Sequence, residues 1–281
     1  MHAAAGAEAW SLYWEEQGAG GGCQVTGDLL AELQKQWFRY ALELPPDARV
    51  LDIACGAGAV GRGLINCRSD VRIVGVDSAR VPIQERHQLT LLSSIRMEAL
   101  PFEDGSFDGA VSQFGIEYGN IVDTAPELAR VLKPGALICF LAHHYDSQIA
   151  RDGRMRHEAL RALVSGSMKD GFLSGDRQRL SGEFAALART YPNEITVELA
   201  RTYFERRLSI AHEERVKTFQ AFRELLAPEI SILGQLEESC LCAERLGRWL
   251  VSFLSRTFEI GVSIVRSGSG EPIVWKISGR R

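Results

Sequence analysis

The stretch VLDIACGAGAVG, residues 50–61, constrains the fold of this chain more than any other. Val50, Leu51, Ile53 and Ala54 form an apolar run suited to a strand buried on both faces. Gly56, Gly58 and Gly61 follow at the spacing of a tight turn that opens into a helix. Glycine lets the backbone approach a ligand closely and adopt positive φ, and the amides at the start of the next helix attract the ligand's polar end. Several nucleotide-binding folds share this spacing, so the residue that discriminates among them is Asp52. A carboxylate just before the turn would repel a pyrophosphate and would welcome a positively charged amino group.

Downstream segments extend the pattern. VRIVGV, residues 71–76, reads as a second strand ending in Asp77, where a carboxylate can accept both hydroxyls of a ribose; a capping role for Asp77 or Ser78 fits the same position. In MEALPFEDGSFDGAV, Gly105 permits a turn, Phe107 anchors it, and Asp108 leads into a strand over residues 109–112. Gln113, Phe114, Gly115, Glu117 and Tyr118 follow at that strand's carboxyl end, the rim of the ligand crevice in an open α/β sheet. A helix over residues 123–132, a Lys133-Pro134-Gly135 turn and a strand over residues 136–142 come next. His143 and His144 leave that strand at the same rim. Histidine titrates near neutral pH, so either is a candidate general base, and a hydrogen-bonded loop role fits both as well.

Taken together, the glycine loop, the LPFEDGSFD segment and the helix-KPG-strand unit resemble those of class I S-adenosylmethionine-dependent methyltransferases, specifically the small-molecule, type 11-like group. The resemblance covers residues 28–145 and 258–278. It implies an α/β, Rossmann-like, seven-stranded and mostly parallel sheet with helices on both faces and the last strand antiparallel. It implies S-adenosylmethionine as cofactor, held by Asp52, Ala54, Cys55, Gly56 and Gly58 at the methionyl end and by Asp77 and Ser78 at the ribose, with Met97, Glu98 and Gln113 completing the site. The chain departs from the family at Arg96, where aspartate commonly accepts the adenine amino group; arginine cannot accept. Direct transfer to an oxygen, nitrogen or carbon nucleophile is the expected chemistry, with His143 or His144 as base.

Outside those segments, EAWSLYWEEQ places Trp10, Tyr13, Trp14 and Gln17 on one helical face. A glycine-rich joint at residues 18–22 follows, so residues 1–27 are expected to form an N-terminal lid helix, with Tyr13 and Trp14, together with Tyr118, on the substrate side. A helix is expected over residues 28–44 and another over residues 81–92, opened by Pro82. The core is taken as 28–146. Residues 147–257 carry long helical patterns where the family holds one helix, and read as a helical cap or as a dimerisation bundle. The alternation in 258–281 on either side of Ser267-Gly268-Ser269-Gly270 reads as a hairpin that completes the sheet.

The net charge of −4 over 281 residues disfavours a polyanion and points to a small-molecule substrate, without nucleic acid or membrane as partner. No secretory signal or membrane-length apolar run is evident, which suggests a cytoplasmic location. The six cysteines are scattered and fit buried thiols better than a metal site. Two alternatives stay open: a non-catalytic sensor or assembly protein that binds the same cofactor, and an NAD-dependent oxidoreductase.

Overall fold

The computed structural model describes residues 2–17, 27–82, 85–86 and 88–281, apart from the side chains of residues 2–5, 17, 85 and 86. The glycine-rich joint and Cys23 lie outside the described residues. The chain divides into two compact units, residues 1–150 with 238–281, and residues 151–237.

The first unit is built on a sheet in the order β3-β4-β2-β1-β5-β6-β8-β7. Its strands are β1 (Arg49–Ile53), β2 (Arg72–Val76), β3 (Glu85–Arg86), β4 (Leu89–Leu92), β5 (Phe107–Gln113), β6 (Leu132–His143), β7 (Glu259–Arg266) and β8 (Pro272–Arg280). Seven strands form the main sheet, and the two-residue β3 adds a short antiparallel edge beside β4. The run from β4 to β6 is parallel, whereas β8 is antiparallel to both β6 and β7. This is the expected mostly parallel arrangement. Its order reverses between β1 and β5, which opens a crevice at the carboxyl ends of those strands.

One expected element is absent. Residues 89–92 form strand β4, with Leu89 opposite Ile73 and Leu92 opposite Val76, so no helix spans residues 81–92. Leu89 and Leu91 are buried on either side of exposed Thr90, a period of two. The pairing also satisfies backbone groups on the edge of β2 that a helix would leave without partners. Strand β6 starts earlier than expected: Leu132 already pairs with Phe107, and a register shift precedes the regular ladder from Leu137.

Helices α1 (His2–Gln17), α2 (Gly27–Glu43), α3 (Ala59–Cys67), α4 (Ile121–Val131) and α10 (Ala243–Leu254) belong to this unit. Helix α2 buries Leu33, Trp37, Tyr40 and Ala41, and the Tyr40 hydroxyl donates to the Leu137 carbonyl at 3.2 Å. Helix α4 is capped by Asn120, which accepts the Val122 amide at 3.1 Å, worth roughly 1 kcal/mol. From α4, Arg130 donates to the carbonyls of Leu100 at 2.9 Å and Phe102 at 2.6 Å, pinning the LPF segment beneath the crevice. Helix α10 packs Trp249 and Phe253 into the same core as Phe140 and Phe258.

The second unit holds most of α5 (Gln148–Leu163), helices α6 (Gly166–Ser174), α7 (Arg177–Thr190) and α8 (Ile195–Glu205), and most of α9 (His212–Ser239). Its core is aromatic: Phe204 is fully buried, with ring centroids 4.5 Å from Phe172 and 4.7 Å from Phe222. Arg156 of α5 ties that helix to α9 through Glu229 and to the α8 cap through Glu194, at 2.6 Å each. The chain leaves the first unit after β6 and returns to it before Leu241, which bridges to His144, so this unit is an insertion in the sequence between β6 and β7.

Candidate functional site

The turn after β1 is built from unusual backbone. Ala54, Gly56 and Gly58 all have positive φ, at 52°, 49° and 80°. Glycine tolerates this conformation freely, whereas Ala54 holds it under strain of about 1 kcal/mol. The Ala54 methyl sits where the next segment has Gly115, whose own Cβ would lie 2.5 Å from it. The loop is tied down by Asp77, whose two carboxylate oxygens accept the amides of Gly56 and Ala79 at 2.9 Å each. In this structure Asp77 therefore organises the glycine loop, with lone pairs left on both oxygens for a further donor.

Asp52 is 1% exposed and accepts the Gly61 amide, while its Oδ2 is buried with no hydrogen-bond partner among the described residues. Burial, reinforced by the nearby Asp77, pushes its carboxyl up to about 7, against the lowering effect of the Gly61 amide and Arg62. A buried carboxylate with an orphaned oxygen is costly unless a cation or donor meets it.

Asp52, Ala54, Cys55, Gly56, Gln113, Trp14, Tyr118 and His143 line one cavity of about 60 Å³. The structure thus brings together eight of the residues expected from sequence. Trp10 and Phe114 line it as well. Trp10 precedes Trp14 by one helical turn, so its periodicity carried the signal. Phe114, by contrast, reaches the site through a left-handed backbone (φ 58°) that no local pattern announces.

The cavity is small because α1 closes it. The Trp14 indole lies over the loop so closely that a Cβ on Gly56 would fall 2.3 Å from its ring. Trp10 stacks on Trp14 at 6.1 Å and meets Tyr118 edge-on at 5.7 Å, while Tyr13 packs edge-on against both tryptophans. A space of 60 Å³ holds about two waters, so a nucleoside-sized ligand enters only if Trp14 moves.

The two histidines part company. His143 lines the cavity, stacks on Phe114 at 4.3 Å and places Nδ1 2.6 Å from Glu117 Oε1. The same carboxylate oxygen accepts the His143 backbone amide at 2.9 Å. His144 points elsewhere: it stacks on Trp275 at 4.6 Å, accepts the Asp146 amide at Nδ1, and is not among the cavity residues. Burial lowers its proton affinity. The Glu117–His143 pairing was not assigned from sequence, which offered only a glutamate at the rim.

Of the remaining expected residues, Gly58 caps α3 from the left-handed region and Ser78 is exposed beside Asp77. Met97 packs so tightly on Gly119 that a Cβ there would lie 2.2 Å from its sulfur. Glu98 accepts the Asn120 amide at 2.8 Å and meets Arg96 at 3.2 Å. Among the described residues no cluster of three or more His, Cys, Asp and Glu side chains is arranged to hold a metal.

Residues 50–135 match the methyltransferase domain family. The chain carries a class I S-adenosylmethionine-dependent methyltransferase domain. The methyltransferase domain has relatives in several lineages. The ubiquinone/menaquinone biosynthesis C-methyltransferase UbiE of Geobacter sp. (strain M21) is 35% identical over 125 residues, 39% of this chain and 52% of that protein. The 2-phytyl-1,4-naphtoquinone methyltransferase of Synechocystis is 33% identical over 112 residues, 35% of this chain and 46% of that protein. Human methyltransferase-like protein 27 is 30% identical over 142 residues, 48% of this chain and 55% of that protein. The chain thus spans about half the length of these relatives.

The cofactor of such a domain is S-adenosylmethionine, and the residues present fit it. The orphaned Asp52 oxygen suits an ammonium group, the positive-φ loop offers backbone to the methionyl end, and Asp77 retains acceptor capacity for hydroxyls.

Proposed function

We propose that this protein transfers a methyl group from S-adenosylmethionine to a small organic acceptor at the carboxyl end of its sheet. The observation that carries the reading is Asp52, a buried carboxylate beside the glycine loop with one oxygen awaiting a cation. An NAD site would place a pyrophosphate there, against that charge. The bound cofactor supplies an electrophilic methyl group; the chain's own residues position the partners and manage the proton.

In this reading Trp14 and Trp10 close over the loop and exclude water, which strengthens every electrostatic contact inside. His143, oriented by Glu117 at its Nδ1, is the group that takes a proton from an acceptor hydroxyl, amine or acidic carbon. The quinone C-methyltransferases among the relatives support an aromatic acceptor. The helical unit, which follows β6 in the chain, is given the role of a cap in the same proposal. No described helix is long and apolar enough to cross a membrane. A cytoplasmic location is part of the same proposal.

The test is calorimetric titration with S-adenosylhomocysteine and, in parallel, NADH. Saturable binding of the first alone is expected; binding of NADH alone would overturn the reading.

The buried pairing makes a separate prediction. Glu117→Ala removes the acceptor for two donors of His143, which is 1% exposed, and is expected to cost about 2–4 kcal/mol in urea denaturation. Glu117→Gln keeps an acceptor oxygen and is expected to cost less than half as much. Equal losses for both variants would assign the effect to shape alone.

A further inference from the structure

A second cavity, of about 750 Å³, lies between α2 and α3. Its size falls within the range of sites that enclose small organic ligands, roughly 300–1,000 Å³. Leu30, Leu33, Trp37 and Phe38 of α2 form one wall, and Val60 and Gly63 of α3 the other. The polar lining residues Gln34, Lys35, Arg39 and Asn66 are exposed at its rim, and Lys35 is paired with Glu32 at 2.6 Å, whereas the buried lining residues Leu33, Trp37 and Val60 are apolar. Ala59, Val60 and Gln113 line this cavity and the glycine-loop crevice alike. The two spaces share a wall.

The glycines of α3 argue that the space is maintained. A Cβ on Gly61 would lie 2.9 Å from Leu89 and 3.0 Å from Ile73, so packing against the sheet demands glycine there. Gly63 has no such reason: a Cβ would meet nothing within 4 Å. Glycine inside a nine-residue helix costs about 1 kcal/mol relative to alanine, and here it returns only open volume beside the groove. Leu30 and Phe38 remain 40% and 52% exposed on the facing helix. Apolar surface of this kind, in a concavity, is the ordinary lining of a ligand site.

The shared wall also carries a polar end. The Trp37 indole N–H, which can only donate, meets the Gln113 side chain at 2.6 Å, so the atom it meets is the amide oxygen. The Gln113 amide nitrogen is then left to donate to an oxygen on a ligand. Building on the methyl-transfer reading, we propose that the cavity between α2 and α3 holds the apolar body of the methyl acceptor. The acceptor is a neutral, largely aromatic or hydrocarbon compound whose hydroxyl or carbonyl oxygen meets Gln113, at the wall shared with the cofactor crevice.

The test uses the full chain and 2-naphthol, a neutral aromatic probe with one hydroxyl. Calorimetry is expected to show saturable 2-naphthol binding with S-adenosylhomocysteine present, and interligand NOEs are expected between naphthol ring protons and the homocysteine moiety. Gly63→Phe fills the groove from a position with free space, and is expected to weaken 2-naphthol about tenfold or more, while S-adenosylhomocysteine affinity changes less than about threefold. Phe38→Ala, a half-exposed wall residue, is expected to weaken the probe several-fold and provides a second reading if Gly63→Phe fails to fold. Undetectable 2-naphthol binding at millimolar concentration overturns the proposal, as does affinity that both variants leave unchanged. Failure of the wild-type chain to bind S-adenosylhomocysteine strikes the methyl-transfer reading instead.

Discussion

Asp52→Asn is expected to weaken S-adenosylhomocysteine binding by about two orders of magnitude at pH 8, the scale of removing one partner from a buried charge pair. The pH dependence carries a sharper signature. With the Asp52 carboxyl at about 7 in the free protein, the group is mostly protonated below that pH, and binding an ammonium there requires the proton to leave. Wild-type affinity is therefore expected to fall about tenfold per pH unit below 7 and to level off above it, a loss of roughly 30-fold between pH 8 and pH 5.5. The Asn variant should show no such slope. Folding runs the other way: a carboxyl whose folded value lies above its unfolded one favours folding at low pH, and that contribution is lost as pH rises from about 4 to 7. Asp52→Asn is accordingly expected to match or exceed wild-type stability at pH 8, which separates lost binding from lost fold. Asp52→Asn affinity equal to wild type at pH 8 would remove Asp52 from the cofactor site, whereas a flat wild-type profile from pH 5.5 to pH 8 would mean only that its carboxyl titrates below that range.

Gly109→Ala is expected to cost about 3 kcal/mol in urea denaturation, a large share of the 5–15 kcal/mol typical of a folded protein. Gly109 sits in β5, at the centre of the sheet, and an added Cβ would lie 2.2 Å from the Tyr40 hydroxyl and 2.9 Å from the Leu137 carbonyl oxygen. Those two atoms are hydrogen-bonded partners, so the methyl group both overpacks the core and breaks a buried bond. The backbone oxygen belongs to the β6 ladder and cannot retreat. Tyr40 must move instead, carrying α2 with it. The same variant is thus expected to disturb 2-naphthol binding between α2 and α3. A loss below about 1 kcal/mol would mean that α2 adjusts freely on the sheet.

Local, contiguous patterns were the legible ones. A buried apolar run, three glycines and one acid within residues 50–61 dictate a strand, a turn and a helix start by short-range sterics and hydrogen bonding. The LPFEDGSFD segment and the closing hairpin are readable for the same reason. Residues 81–92 misled because Pro82, Gln84, Glu85 and Arg86 suit a helix start, while the deciding factor, the open edge of β2, lies elsewhere in the sequence. The adjacent histidines show the limit at one step of the chain. Strand alternation requires that His143 and His144 face opposite sides, yet only the placement of Glu117 and Trp275 settles which one meets the crevice.

By itself, then, the sequence determined the parallel α/β frame, the glycine loop and the acid beside it, because each is encoded within a dozen residues. Tertiary structure alone decided that Trp14 rests on Gly56, that Glu117 orients His143, and that α2 and α3 leave a cavity beside Gln113. Each of these joins segments that are far apart in the chain. Their meeting depends on the strand order and on how helices cross the sheet, and no local periodicity records either.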